Sequence, residues 1–143
     1  IATHRLFIFK FASDMISKNM LYGLGASSFA FYYVLDNNLF MSHAHNLFLE
    51  LAFNYGLIPS IIIFTAILTY LIYAFKVIFF SDYLRIKDAA LFEKAWFTSF
   101  FVLFCSQMID IQYFDGRISM IFWLLLAGIT EMIKGINSIK TSI

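Results

Sequence analysis

From Leu57 to Phe75 the chain carries no charged side chain, and past Lys76 the apolar run resumes as Val77-Ile78-Phe79-Phe80. About 20 apolar residues in a helix cross the hydrocarbon core of a bilayer, where each backbone polar group must be bonded within its own segment. Such a run admits little but a helix. Pro59 falls in its first turn, where a missing N–H costs no bond. Composition agrees: 62% of the residues are hydrophobic and 20% aromatic, with nineteen Phe against nine acidic residues. That is more apolar surface than one small core can hide. The chain reads as a membrane protein.

Two further spans are expected. One lies between Lys94 and Asp110, with Ala95 to Ile109 uncharged; the other lies between Arg117 and Glu131. The expected fold is therefore all-α: an integral membrane bundle over 57–143, with transmembrane helices at about 57–79, 91–110 and 116–133. A periplasmic helical loop region over 1–56 precedes it. The first residue is Ile1, and no charged, apolar and small-residue leader pattern follows it, so a fragment from the C-terminal part of a longer multi-spanning protein is expected. Cys105 is the single cysteine, which excludes an internal disulfide. It reads as a small buried hydrophobe.

Lys and Arg in the connections set orientation. Lys76, Arg85, Lys87 and Lys94 fall between the first two spans, and Lys134 and Lys140 follow the third. Those segments share the cytoplasmic side, which places residues before Leu57 outside.

Within 1–56, Arg5 to Tyr22 reads as a helix with Leu6, Phe9, Ile16 and Met20 at roughly helical spacing. Gly23-Leu24-Gly25 ends it in a turn with close backbone approach, and Asp36-Asn37-Asn38 marks a second turn. Ser42 to Tyr55 is expected to form a short, half-embedded helix. Gly56 then permits a sharp change of direction into the span.

Two imidazoles stand just before that span, in Ser42-His43-Ala44-His45-Asn46. Imidazole is costly in hydrocarbon, so its presence at a membrane boundary points to a polar site. A basic nitrogen there can take a proton from a hydroxyl near neutral pH, or simply cap an interfacial helix. Asn46 and Glu50, four apart, are placed to orient water, a sugar hydroxyl or the imidazole. His43 and His45 alternate and could share a metal, but a third ligand would have to come from His4, Asp36 or Glu50, none at a recognised spacing. No metal or other cofactor is expected. Arg5 offers a fork suited to phosphate or, as Lys10 and Lys18 do, positive charge for anionic head groups, the reading its residue type alone narrowly favours. Asp110, Asp115 and Arg117 sit where two spans end, as members of the site or as an interfacial ion pair.

The order of these elements resembles a known family. Arg5 opens an amphipathic segment, Tyr22-Gly23-Leu24-Gly25 forms a turn, and a polar loop leads to His43-Ala44-His45-Asn46-Leu47-Phe48-Leu49-Glu50. Nine residues separate Asn46 from Gly56-Leu57-Ile58 at the span. Over Arg5 to about Phe75 this is similar to the O-antigen ligase and O-antigen polymerase family of bacterial membrane glycosyltransferases; Pro59, where the family carries a small or polar residue, is a departure. The resemblance implies a metal-independent inverting enzyme of the inner membrane with its site facing the periplasm. Its donor would be a glycan on undecaprenyl diphosphate, and its acceptor a lipid- or glycan-borne hydroxyl. His45 would be the general base and Arg5 would bind the diphosphate, with His43, Asn46 and Glu50 at the substrate. A fragment would be inactive alone, and no nucleic-acid partner is expected. The alternative is a non-enzymatic transport or scaffold protein of polysaccharide export, for which a polar stripe along a span is needed. Thr65, Thr69 and Tyr73 form one at four-residue spacing without charge, a pattern that more often packs helices.

Overall fold

A computed structural model describes the chain over residues 2–80 and 90–141. Among the described residues the regular structure is entirely helical: α1 (Ala2–Lys18), α2 (Phe29–Asn37), α3 (Leu47–Tyr55), α4 (Leu57–Phe80), α5 (Ala90–Ser106) and α6 (Gly116–Thr141). Two compact units result, one of Ile1–Ala66 with Ser106–Ile111, the other of Ile67–Cys105 with Gln112–Ile143.

The first unit is built on an aromatic core. Ile8, Phe11, Ala12 and Ile16 recur at helical spacing and form the buried face of α1. This stripe is offset from the expected one: Ile16 is shared, but Leu6 and Met20 are exposed. Against it pack Phe29 and Tyr33 of α2 and Phe53 of α3. Ring centroids lie 5.0 Å apart for Phe11–Tyr33 and for Phe29–Phe53, both edge-to-face. Each such pair is worth about 0.5–1.5 kcal/mol beyond its buried area.

Two glycines lock the first unit's connections together. Gly56, at φ 92° and ψ 164°, turns the chain from α3 into α4, as its position before the apolar run suggests. A Cβ there would lie 2.5 Å from the Leu21 carbonyl oxygen. Gly23, at φ 65°, has the reciprocal constraint, with Gly56 N 2.5 Å from where its Cβ would be. This close approach lets the turn after α1 bond to the end of α3. Leu24 N–H donates to Phe53 O (2.8 Å), Gly25 N–H to Asn54 O (3.0 Å) and Leu57 N–H to Met20 O (2.7 Å).

In the second unit the buried hydrophobic residues include Leu71, Ala74 and Ile78 of α4, Phe97, Phe100 and Phe104 of α5, and Phe122, Ile129, Ile133 and Ile136 of α6. Cys105, expected to be buried, is exposed on α5. Polar groups link the helices. Tyr70 donates to Thr130 Oγ1 (2.7 Å), whose own hydrogen goes to Leu126 O. Asn137 donates to the Tyr73 hydroxyl (3.0 Å). Trp96 donates from its indole to Leu125 O (2.9 Å), and its ring occupies the space a Cβ on Gly128 would need.

Two helices among the described residues are long and apolar enough to cross a membrane: Leu57–Phe80, with 24 residues, and Gly116–Ser138, with 23. At 1.5 Å per residue each extends about 35 Å, against roughly 30 Å of hydrocarbon. The expected middle span, at about 91–110, falls short. Its helix has 17 residues, carries Glu93 and Lys94 near its start, and ends at Ser106 rather than near Asp110. The physical reason is that residues 107–110 leave helical geometry, with Ile109 and Asp110 N–H both turning back onto Ser106 O. Their freed backbone carbonyls bond the His45 loop. The two long helices hide only 17% of their most apolar window, and Ile58, Ile62, Leu68 and Ile72 are exposed. A core helix of a water-soluble domain would be mostly covered. Arg85 and Lys87, used for the expected orientation, lie outside the described residues, as does the Lys140 side chain.

Candidate active site

The site grows from the loop before α3. The expected helix over Ser42 to Tyr55 begins only at Leu47, because Asn46 is its N-cap: extended at φ −155°, it accepts the Leu49 N–H on its side chain (3.0 Å). An N-cap takes non-helical backbone and fills an orphan donor of the first turn. The Asn46 amide also donates to Met108 O (2.9 Å), and Leu47 N–H donates to Gln107 O (3.0 Å). The 106–110 turn is thereby fixed against the histidine loop.

Glu50 braces the same loop from inside. It is 2% exposed, accepts the Ala44 N–H (2.9 Å) on one oxygen and the Asn54 amide (3.1 Å) on the other. Burial raises the Glu50 carboxyl above its ordinary value, opposed by these two bonds and by the nearby His45. Asn46 and Glu50, expected beside substrate, are thus both engaged by the framework that carries the imidazoles.

Between these supports sits His45, in left-handed backbone at φ 53°. Non-glycine residues rarely adopt that geometry, and it clusters at functional sites. Its Nδ1 lies 2.7 Å from Asp110 Oδ1. A carboxylate only accepts, so in the neutral ring the proton resides on Nδ1 and the lone pair on Nε2. Nε2 is 3.3 Å from Met41 Sδ. The hydrogen bond from His45 holds the Asp110 carboxyl below its ordinary value against the opposing effect of burial, with smaller electrostatic help from His45, His43 and Arg5. Arg5 therefore lies within electrostatic reach of the pair, and the structure brings it to the same unit. The His43 and His45 rings stand edge to face at 4.4 Å, and His45 N–H donates to His43 Nδ1 (3.3 Å). Burial, then the neighbouring His45, pushes the His43 imidazole below its ordinary value, with Asp110 acting the other way.

Asp110 is the member that sequence reasoning did not assign. It lies 65 positions beyond His45, with no local spacing to mark it, and only its place where two apolar segments end hinted at it. Asp115 serves elsewhere, its carboxylate accepting the Arg117 N–H (2.9 Å) at the start of α6. One donor atom each from His43, His45 and Asp110 lie within 4.8 Å of one another, a grouping of the kind that holds a metal ion. Its third member is Asp110, and not His4, Asp36 or Glu50.

The arrangement is an acceptor nitrogen on a half-buried imidazole, oriented from behind by a carboxylate that feels the Arg5 guanidinium at a distance. Such a set removes a proton and steadies an anion. Residues 1–65, the stretch from α1 through His45 into α4, match the model of the family described as O-antigen ligase. No curated protein and no solved structure matches the chain.

Proposed function

We propose that the chain belongs to an inner-membrane glycosyltransferase that moves a glycan from undecaprenyl diphosphate to an acceptor sugar hydroxyl, as a polysaccharide ligase or polymerase. The observation that carries this reading is the His45–Asp110 pair at 2.7 Å, with its histidine inside the stretch that matches the O-antigen ligase family. The exposed apolar faces of α4 and α6 support a membrane setting. In that setting the helices of 57–143 lie in the bilayer, while 1–56 and the turn that carries Asp110 face the periplasm.

In the reaction, His45 Nε2 takes the acceptor's hydroxyl proton as its oxygen attacks the anomeric carbon. The bond from that carbon to the diphosphate breaks, and undecaprenyl diphosphate departs with the electron pair. Attack opposite the leaving group inverts the anomeric centre. Asp110 keeps the Nδ1 proton in place and stabilises the imidazolium, much as a triad carboxylate does. Arg5 pairs with the departing diphosphate, taking the place a divalent cation would fill. His43 meets the acceptor beside the base, and Asn46 and Glu50 act on it through the loop they hold. General-base help of this kind contributes about 10²–10⁴-fold.

His45→Ala and Arg5→Ala should each abolish polysaccharide transfer while the protein still inserts, with donor lipid accumulating. Normal transfer by His45→Ala at wild-type expression would refute the assignment. A transport or scaffold role predicts instead a transport defect with normal glycans; the Thr65, Thr69, Tyr73 stripe gives it no support, since Tyr73 is used to bond Asn137.

A further inference from the structure

The grouping of His43, His45 and Asp110 has a second capacity, apart from proton transfer. We propose that it binds a single zinc-class divalent ion through one ring nitrogen of each histidine and one Asp110 oxygen, and that the bound ion silences the base. The consequence for transfer rests on the function proposed above; the binding rests on geometry alone.

The donors are already close to coordination distance. A tetrahedral zinc ion about 2.1 Å from each ligand sets its donors about 3.4 Å apart. The three donor atoms here lie within 4.8 Å of one another, and His45 Nδ1 and Asp110 Oδ1 are 2.7 Å apart. Side-chain rotation that draws the widest pair in by up to about 1.4 Å, and parts His45 Nδ1 from Asp110 Oδ1 where that nitrogen is the ligand, completes the shell. Two imidazoles and a carboxylate are the donor types of open zinc sites, in which water completes the shell. Access is available as well: His45 has 22% and Asp110 46% of its side chain exposed. The support beneath the donors is built, because Asn46 and Glu50 fix the loop by bonds to backbone on both sides. Pre-organised donors lose little entropy on binding.

Silencing follows from the chemistry of the ring, whichever nitrogen the metal takes. A neutral imidazole has one lone pair available for bonding. A metal on Nε2 occupies it directly. A metal on Nδ1 displaces the proton to Nε2, which then donates and no longer accepts. In both cases Asp110 is drawn to the ion, and the acceptor hydroxyl loses the group that would deprotonate it. Zinc thus acts as a reversible inhibitor.

The test is zinc titration of the chain in nanodiscs, with bound metal measured after dialysis against a chelator-buffered zinc series. One equivalent should bind saturably. His43→Gln and Asp110→Asn should each weaken the affinity tenfold or more, while His4→Gln, outside the cluster, should leave it unchanged. Circular dichroism checks that each variant keeps its helices. Cobalt(II) in place of zinc should give the intense visible bands of a four-coordinate site, lost in His43→Gln. Absence of saturable binding, or equal affinity in the wild type and His43→Gln, overturns the site. In membranes that carry out glycan transfer, zinc should inhibit and a chelator should restore the rate; binding without inhibition overturns the silencing. Zinc binding with the expected variant pattern in a protein that transfers no glycan would count against the proposed function and leave the site standing.

Discussion

Replacing Gly56 by alanine should open the first unit at a defined place. The residue sits at φ 92°, ψ 164°, a region only glycine occupies without strain, at about 1–3 kcal/mol for any other residue. The added Cβ would meet backbone atoms, not a side chain able to move: Leu21 O at 2.5 Å, Leu21 C at 2.7 Å and Met20 O at 2.9 Å. Relief requires the turn after α1 to withdraw, which gives up the Leu57-to-Met20 bond and weakens those from Leu24 and Gly25. At about 1 kcal/mol for each bond, the total is roughly 3–5 kcal/mol. Gly25→Ala is the internal control, since Gly25 has φ 103° but nothing within 4 Å of its Cβ position; it should cost only the backbone strain. The assay is limited tryptic cleavage after the exposed Lys18 in vesicles, under conditions where cleavage follows the open population. A difference of about 2 kcal/mol between the two variants raises the cleavage rate roughly thirtyfold. Equal rates for Gly56→Ala and Gly25→Ala would refute the crossing of the two turns.

Asp110→Asn should lower glycan transfer about tenfold, near the low end for losing a charge-assisted hydrogen bond because Asp110 is half exposed, with donor affinity little changed; initial rates against donor concentration measure both. Glu50 gives a pH signature. Its raised carboxyl favours the neutral form in the fold, so its contribution to stability is fully present below the ordinary carboxyl value and is lost as pH rises through the raised one. Glu50→Gln should erase that loss in thermal melts across the acidic range, its amide bonding Ala44 N–H and a turned Asn54. Glu50→Ala, which strands both partners, should cost about 2–5 kcal/mol; a Glu50→Gln protein that melts like Glu50→Ala contradicts the brace. In a Trp123→Phe background, Gly128→Ala should expel the Trp96 ring, break its bond to Leu125 O and shift its fluorescence; an unchanged spectrum contradicts the α5–α6 packing.

What the residues disclosed and what they withheld have physical causes. The uncharged run from Leu57 was legible because hydrocarbon length and backbone bonding leave it one structure, and α4 begins at Leu57 with Pro59 in its first turn. Gly23 and Gly56 were legible because sharp turns need them, although nothing local said that they face each other. The start of α3 was misplaced by five residues, since Asn46 serves better as a cap than as a helical residue, and the sequence pattern alone does not separate the two. The span after Lys94 was overextended because Gln107 and Met108 look helical until their carbonyls are claimed by Leu47 and Asn46. That same long-range pairing delivers Asp110 to His45. Local periodicity carries no record of it, so the imidazole could be named from its loop and its partner could not.

Chemical rescue probes the base most directly. In membranes carrying the His45→Gly variant, transfer from the undecaprenyl-linked donor should fall at least a hundredfold, and millimolar imidazole should restore part of it with saturation. Unimpaired transfer by His45→Gly without added imidazole would contradict the assignment of His45 as the group that deprotonates the acceptor.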